Sequence, residues 1–276
     1  MRESGRMTTA SRSEQPRPVL VTGATGKIGR RIARRLEAAG HTVRAASRSS
    51  ATRLDWADPA TIAPALDGVA LAHLTLPDEP IDLVPVTRAL AAADLERVVL
   101  LSARNPEQGG DGFVPAVEEA VAASGVPTVV LRPSWFVQNF TEGMFAQELA
   151  GGSLALPVGE GLEPFIDAED IAEVAVAALL TPEHVGRTYE LTGPELMTFA
   201  DAVALVGEAT SRELTFTPAD PTAWAREAAA EVGDDGARLQ SNLYAAIARG
   251  ENASVTSGVQ DVLGRAPRTV REALAG

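Results

Sequence analysis

The chain has 276 residues, 45% hydrophobic and 22% charged, which suits one α/β domain of ordinary size or such a domain with a small appendage. It has no cysteine and only three scattered histidines, His41, His73 and His184, which excludes disulfides and thiolate chemistry and argues against a metal centre. The formal net charge of −13 is uneven: residues 18–53 carry eight basic side chains against Glu37 alone, and the remainder is strongly acidic. So acidic a body repels a phosphate backbone, so no nucleic acid is expected as partner, whereas the short basic stretch suits a local anionic ligand. No run reaches the ~18–20 apolar residues of a membrane span, and a cytoplasmic protein is expected.

Residues 1–17 are polar, rich in Ser, Thr, Arg and Pro, and without the apolar stretch of a secretory signal, so they read as a disordered leader. Val19–Thr22 then predicts a buried strand, Gly23 to Gly26 a turn, and Ile28, Ile32 and Leu36 the helical spacing of a segment ending near Gly40. A strand at 41–47 follows, then a helix at 61–66, strand 69–74, helix 83–93, strand 97–101, helix 114–124 and strand 128–132. Strands alternating with helices at this interval predict a parallel, doubly wound sheet. Beyond Pro133 the rhythm changes: Gly-Gly and Pro-Val-Gly turns at 151–161, a helix at 170–180, a strand at 187–191 and mostly helical segments from Phe199 onward.

The strongest motif is Val19-Leu-Val-Thr-Gly23-Ala-Thr-Gly26-Lys-Ile-Gly29, a strand, tight turn and helix start. Gly23 permits the turn, Gly26 lets backbone N–H groups approach a pyrophosphate, and Gly29 lets the helix lie close to the strand, so a dinucleotide is expected. An NAD site wants a carboxylate about 20 residues on; here Ser47-Arg48-Ser49 stands there, with no carboxylate between Glu37 and Asp55, which favours the 2′-phosphate of NADP(H). The expected cofactor contacts are Gly23, Thr25, Gly26, Lys27, Ile28, Gly29, Ser47, Arg48, Ser49, Asp55, Leu74, Ser102, Pro133 and Ser134. The fold expected is therefore an α/β Rossmann sheet, with an NADP-binding core over 18–133 and, over 134–276, the last sheet strands interleaved with a small, mainly helical substrate-binding lobe. Arg30, Arg31, Arg34 and Arg35 read for the most part as a solvated helix face.

These motifs, with Leu131-Arg-Pro-Ser-Trp-Phe-Val-Gln-Asn-Phe140, Phe165-Ile-Asp-Ala-Glu-Asp-Ile-Ala172 and Tyr189-Glu-Leu-Thr-Gly-Pro194, resemble the NmrA-like atypical short-chain dehydrogenases over nearly the whole chain after residue 17. Ser134 to Gly143 and Asp55-Trp-Ala-Asp-Pro59 look most like the ergot-alkaloid-type branch, that of festuclavine dehydrogenase, which implies reduction of an iminium or conjugated bond by NADPH. Other members of the group are quinone reductases or cofactor-binding regulators. Where the resembling family often begins a helix with His and carries a Glu, this chain reads Phe113-Val-Pro-Ala-Val-Glu118-Glu119, and only the carboxylate remains.

The proton relay of ordinary short-chain dehydrogenases needs a Tyr and a Lys four residues later. The chain's only Lys is Lys27 and its only Tyr are Tyr189 and Tyr244, so that pair cannot exist and alcohol oxidation is disfavoured. Hydride delivery to an iminium, quinone or enone needs mainly proximity and orientation. The candidate catalytic residues are Ser102 at a strand end, Trp135 suited to a planar or cationic acceptor, and Asn139. Asp167 and Asp170 have helix-capping spacing, Glu118 and Glu119 read as solvated, and His73 as a core or cleft-edge histidine. The chain thus reads as an NADPH-dependent reductase in secondary metabolism, monomeric or homodimeric, acting on a small planar or apolar molecule. A non-catalytic NADP(H) sensor, or a redox-neutral isomerase or epimerase, stands as the alternative.

Overall fold

In a computed structural model, which describes residues 17–75, 77 and 80–276, the first half of the chain winds β1 (Val19–Thr22), α1 (Lys27–Ala38), β2 (Val43–Ser47), β3 (Thr52–Arg53), α2 (Ile62–Leu66), β4 (Leu71–Thr75), α3 (Val84–Ala92), β5 (Arg97–Leu101), α4 (Phe113–Ala123) and β6 (Thr128–Pro133). After these come α5 (Ala146–Ala150), β7 (Ser153–Leu156), α6 (Ala168–Leu180), β8 (Thr188–Leu191), α7 (Phe199–Thr210), β9 (Thr215–Pro218), α8 (Pro221–Ala248), α9 (Gly258–Leu263) and α10 (Val270–Ala275). The central sheet is wholly parallel, in the order β3-β2-β1-β4-β5-β6-β8. Its strands are nearly continuous apolar runs because both faces are covered. Val19, Val21, Val99 and Val129 pack on α1, α6 and α9, while Leu20, Ala72, Leu74, Val98 and Leu100 pack on α2, α3 and α4. The strand order reverses between β1 and β4, and a doubly wound sheet opens its ligand crevice at the carboxyl ends of such a pair.

The expected elements up to β6 are present within a few residues, as are α6 and β8. Three strands went unpredicted. β3 has two residues, and β7 and β9 pair with each other, Ser153 opposite Thr215, as a separate parallel ribbon in the lobe. The glycines and prolines that flank β7 read as turns because a four-residue strand leaves too short a pattern between them. α8 is two helices joined at Gly233, whose φ of 76° breaks the helical path.

Residues 1–16, most of the expected leader, lie outside the described residues; Arg17, its last member, is tied to Asp94 and Glu96 at 2.7 and 2.5 Å. The basic face of α1 is not merely solvated, because it docks on α6 through ion pairs. Arg31, Arg34 and Arg35 reach Glu169, Arg35 also reaches Glu173, and Arg30 and Arg31 reach Glu142. Asp167 caps α6, accepting from the Glu169 N–H at 3.0 Å. Asp170 does not close a capping box: fully buried, it accepts from Arg265 Nη2 and the Arg268 backbone N–H, both at 2.7 Å, and anchors the C-terminal segment to α6.

Candidate active site

The turn between β1 and α1 is shaped by backbone geometry. Gly23 has φ of 60°, a left-handed conformation that costs glycine least, and its carbonyl accepts from Gly26 N–H at 2.8 Å. A Cβ on Gly29 would lie 2.2 Å from that same carbonyl oxygen, so only glycine lets α1 start this close to β1. No side chain caps α1 at Gly26, and Thr25 and Gly26 are exposed, which leaves the first-turn N–H groups and the positive end of the helix open to an anion. Thr22 Oγ1 accepts from Thr75 N–H at 2.7 Å, tying β1 to β4 at the point of reversal. Ile28 is buried in the core under α1, so only its backbone faces the turn.

At the end of β2, Ser47 Oγ accepts from the N–H groups of Ser49 and Ser50 at 3.2 and 3.1 Å and folds the chain into a tight turn. Arg48 stands exposed on that turn and, among the described residues, pairs with no acid. Asp55 accepts from Ala57 N–H at 3.2 Å and is half-buried after β3. Open helix N–H groups and an unopposed guanidinium are the donor set that a pyrophosphate with a 2′-phosphate requires, so the residues fit the dinucleotide. Leu74, another expected contact, is wholly buried against α2 and α3, so only its backbone stands at the strand end.

Across the crevice, Ser102 follows β5, half-buried, and its Oγ donates to Glu118 Oε1 at 2.5 Å. Arg132, on the neighbouring β6, grips the same carboxylate with Nε at 2.9 Å and Nη2 at 2.5 Å. Glu118 is therefore not a solvated helix residue, whereas Glu119 is exposed as expected. Pro133 is buried at the end of β6. Ser134 is buried; its hydroxyl donates to the Pro164 carbonyl at 2.6 Å and its N–H to the Leu191 carbonyl at 2.8 Å, so both its donors are committed within the fold.

Trp135, half-buried, stacks on Phe145 and Tyr244 with ring centroids 5.9 and 5.7 Å apart, and so meets α8 at Tyr244. Asn139, nearly buried, accepts from Lys27 Nζ at 2.8 Å, while that ammonium lies 5.9 Å from the Phe136 ring centroid. That hydrogen bond ties the nucleotide turn to the segment after β6. His73 is fully buried with Nε2 3.1 Å from Thr75 Oγ1, and burial lowers its pKa to about 4, so it is a neutral core residue.

Glu163 was not anticipated from sequence. It has no exposed surface, accepts from Asn252 Nδ2 at 2.9 Å and approaches the Trp135 N–H at 3.4 Å, and burial raises its pKa to about 7. Asn252 in turn accepts from Asn105 at 2.8 Å and Gln108 at 3.0 Å, so its side chain fastens the loop after Ser102 to the C-terminal segment and donates to the Glu163 carboxyl as well. A lone Glu between Gly-Leu and Pro reads as a loop residue; the sole signal is its separation by 89 residues from a partner that only the fold brings near.

Comparison with known proteins follows the same lines. Residues 19–106 match the NAD dependent epimerase/dehydratase family. The chain is 33% identical over 268 residues to the uncharacterized oxidoreductase YesF of Bacillus subtilis, covering 92% of this chain and 93% of that protein. It is 32% identical to the (4-alkanoyl-5-oxo-2,5-dihydrofuran-3-yl)methyl phosphate reductase of Streptomyces griseus, covering 92% and 95%, and 31% identical to agroclavine dehydrogenase of Claviceps fusiformis, covering 91% and 93%. Among solved structures, the NADPH-dependent quinone oxidoreductase of Escherichia coli in complex with NADPH superposes with a TM-score of 0.72 at 20% identity, covering 93% of this chain and 98% of that one. Ergot-alkaloid enzymes thus stand among relatives acting on other substrates. Sharing sequence above 30% identity along nine-tenths of its length with such reductases, and built on a Rossmann sheet, the chain belongs to the NmrA-like atypical short-chain dehydrogenases/reductases and is an NAD(P)-dependent oxidoreductase.

Proposed function

We propose that this oxidoreductase is an NADPH-dependent reductase of a small, planar, electron-poor acceptor (an iminium, quinone or enone) in secondary metabolism. The observation that carries the reading is where its few tyrosines and its one lysine lie. Lys27 Nζ is on Asn139, Tyr189 is hydrogen-bonded to His184 at 2.8 Å, and Tyr244 is buried under Trp135 with its phenol pKa raised by burial. None can form the tyrosine–lysine relay that alcohol oxidation requires, so the chain's chemistry is that of an acceptor already prone to reduction.

The glycine turn and the start of α1 hold the pyrophosphate, and Arg48 favours NADPH over NADH. When bound, NADPH supplies the hydride and leaves as NADP⁺. Ser102 and the edge of Trp135 border the acceptor, while the Lys27–Asn139 hydrogen bond keeps the lobe against the nucleotide turn. One relative, the reductase of a (4-alkanoyl-5-oxo-2,5-dihydrofuran-3-yl)methyl phosphate, is named for a conjugated carbonyl compound, which supports the same acceptor chemistry. Anaerobic consumption of NADPH and NADH against a panel of quinones, cyclic iminium ions and enones tests this. Saturable turnover of one class, faster with NADPH, is expected; tight NADPH binding with no turnover of any class would make the chain a cofactor sensor instead.

A further inference from the structure

Thr75 ends β4 where the strand order reverses, and the partners of its polar groups can be followed one by one. Its N–H donates to Thr22 Oγ1 at 2.7 Å, and its carbonyl accepts from Trp56 Nε1 at 3.0 Å and from Thr22 Oγ1 at 3.3 Å. Its hydroxyl lies 3.1 Å from Nε2 of His73, a ring with no exposed surface. The other ring nitrogen, Nδ1, is buried and has no hydrogen-bond partner among the described residues. Burial lowers the pKa of this ring to about 4, so at neutral pH it carries a single proton. With that proton on Nδ1 the fold would bury a bare N–H; with it on Nε2 only a lone pair is bare. Buried N–H groups are left without a partner less often than acceptors are, so Nε2–H donates to Thr75 Oγ1. The Thr75 hydroxyl then keeps its own proton, which no described residue takes. It stands at the nucleotide turn: Thr75 is half-buried, and a Cβ built on Gly23 would lie 3.5 Å from its Cβ and 3.7 Å from its Oγ1.

We propose that His73 is a positioning residue for the dinucleotide. By donating to Thr75 Oγ1 it turns the Thr75 hydroxyl proton outward, as a donor to an oxygen on the nicotinamide half of the cofactor, the second phosphate or the adjoining ribose. The inference rests on the dinucleotide reading. The choice of half follows from strand order: β2, which leads to Arg48, lies on one side of β1 and β4 on the other, so Arg48 and Thr75 flank the turn from opposite sides. A bare ring nitrogen in the core is a cost that leucine would not carry, which fits a histidine whose use is at Thr75 and not in packing.

Long-range nitrogen–proton NMR of the full chain reads the tautomer directly, and among three histidines the His73 signals are identified by their loss in His73→Gln. A proton on Nε2 and none on Nδ1 is expected. Calorimetry then compares NADPH with 2′-phosphoadenosine 5′-diphosphate, which stops at the second phosphate, and adenosine 2′,5′-bisphosphate, which stops at the first. Thr75→Val is expected to weaken NADPH about tenfold, Thr75→Ser to stay within about twofold, and both to leave the bisphosphate unchanged. A loss that extends to the diphosphate names the phosphate as acceptor, and a loss with NADPH alone names the ribose. His73→Leu releases the hydroxyl to its three staggered orientations and should weaken NADPH about threefold, while His73→Gln, whose amide N–H replaces Nε2–H, restores the affinity. In the double variant the losses should not multiply, and His73→Leu should unfold in urea no earlier than wild type. A proton on Nδ1, an unchanged NADPH affinity in Thr75→Val, a loss shared by the bisphosphate, or a His73→Leu variant that loses stability but not affinity would overturn the proposal. Failure of the dinucleotide reading shows separately, as a wild type that binds none of the three ligands while the tautomer is the expected one.

Discussion

The nucleotide half and the C-terminal lobe shape their surfaces by different means. At the front of the sheet the decisive contacts are backbone on backbone: the Gly23 turn, the bare start of α1, and Gly29 in a space that admits no Cβ. In the lobe they are ring on ring, and eight of the chain's twelve aromatic side chains gather there, with Phe199 in the middle, its ring centroid 5.0 Å from that of Phe165 and 6.1 Å from that of Trp135. A backbone cradle recognises what is common to dinucleotides, whereas a wall of rings recognises shape, which varies with every substitution in it.

This division can be broken from either side. Gly29→Val forces a side chain against the Gly23 carbonyl, so the turn must open; NADPH affinity by fluorescence titration is expected to fall about a hundredfold or more, and an unchanged affinity would remove the turn from cofactor binding. Phe199→Ala empties the centre of the ring cluster and should cost about 3–5 kcal/mol in urea unfolding while NADPH affinity stays within about twofold, because the nucleotide turn has its own core. Coupled loss of both would show that the two halves are one unit.

A smaller effect lies at the junction. The Glu163 pKa is raised by burial from 4.5 to about 7, so the folded protein holds this proton more tightly than the unfolded chain. The stability that the group contributes is whole below its ordinary value and is lost as pH rises through about 7. Glu163→Gln should therefore remove a fall of about 2–3 kcal/mol in stability between about pH 5 and pH 8, measured by chemical unfolding across that range; parallel profiles for wild type and variant would contradict the assignment. Smallest is Arg48→Glu, expected to weaken NADPH about tenfold and leave NADH nearly unchanged, since the exposed side chain is proposed to address the 2′-phosphate alone.

The same contrast governs what the residues disclosed before folding. Gly23, Gly26 and Gly29 and the alternating strands could be read directly, because backbone geometry and two-sided burial impose local patterns. Glu118, Glu163 and Asp170 could not: each acquires its character from partners distant in sequence, Arg132 and Ser102 for the first, Asn252 for the second, Arg265 and Arg268 for the third. A lone carboxylate on a helix or in a loop reads as solvated until the fold supplies its partner. Ser134 and Leu74 show the opposite case, standing at strand ends with their side chains turned into the protein. The ribbon of β7 and β9 escaped because its two strands pair across most of the lobe.

The most direct measurement is anaerobic incubation of the purified protein with NADPH carrying deuterium at both nicotinamide C4 positions and a cyclic iminium acceptor, followed by mass spectrometry of the product. Deuterium on the reduced carbon, in step with NADP⁺ formed, is the result expected of a reductase. A product without label, or NADPH left unconsumed with iminium, quinone and enone alike, would contradict it.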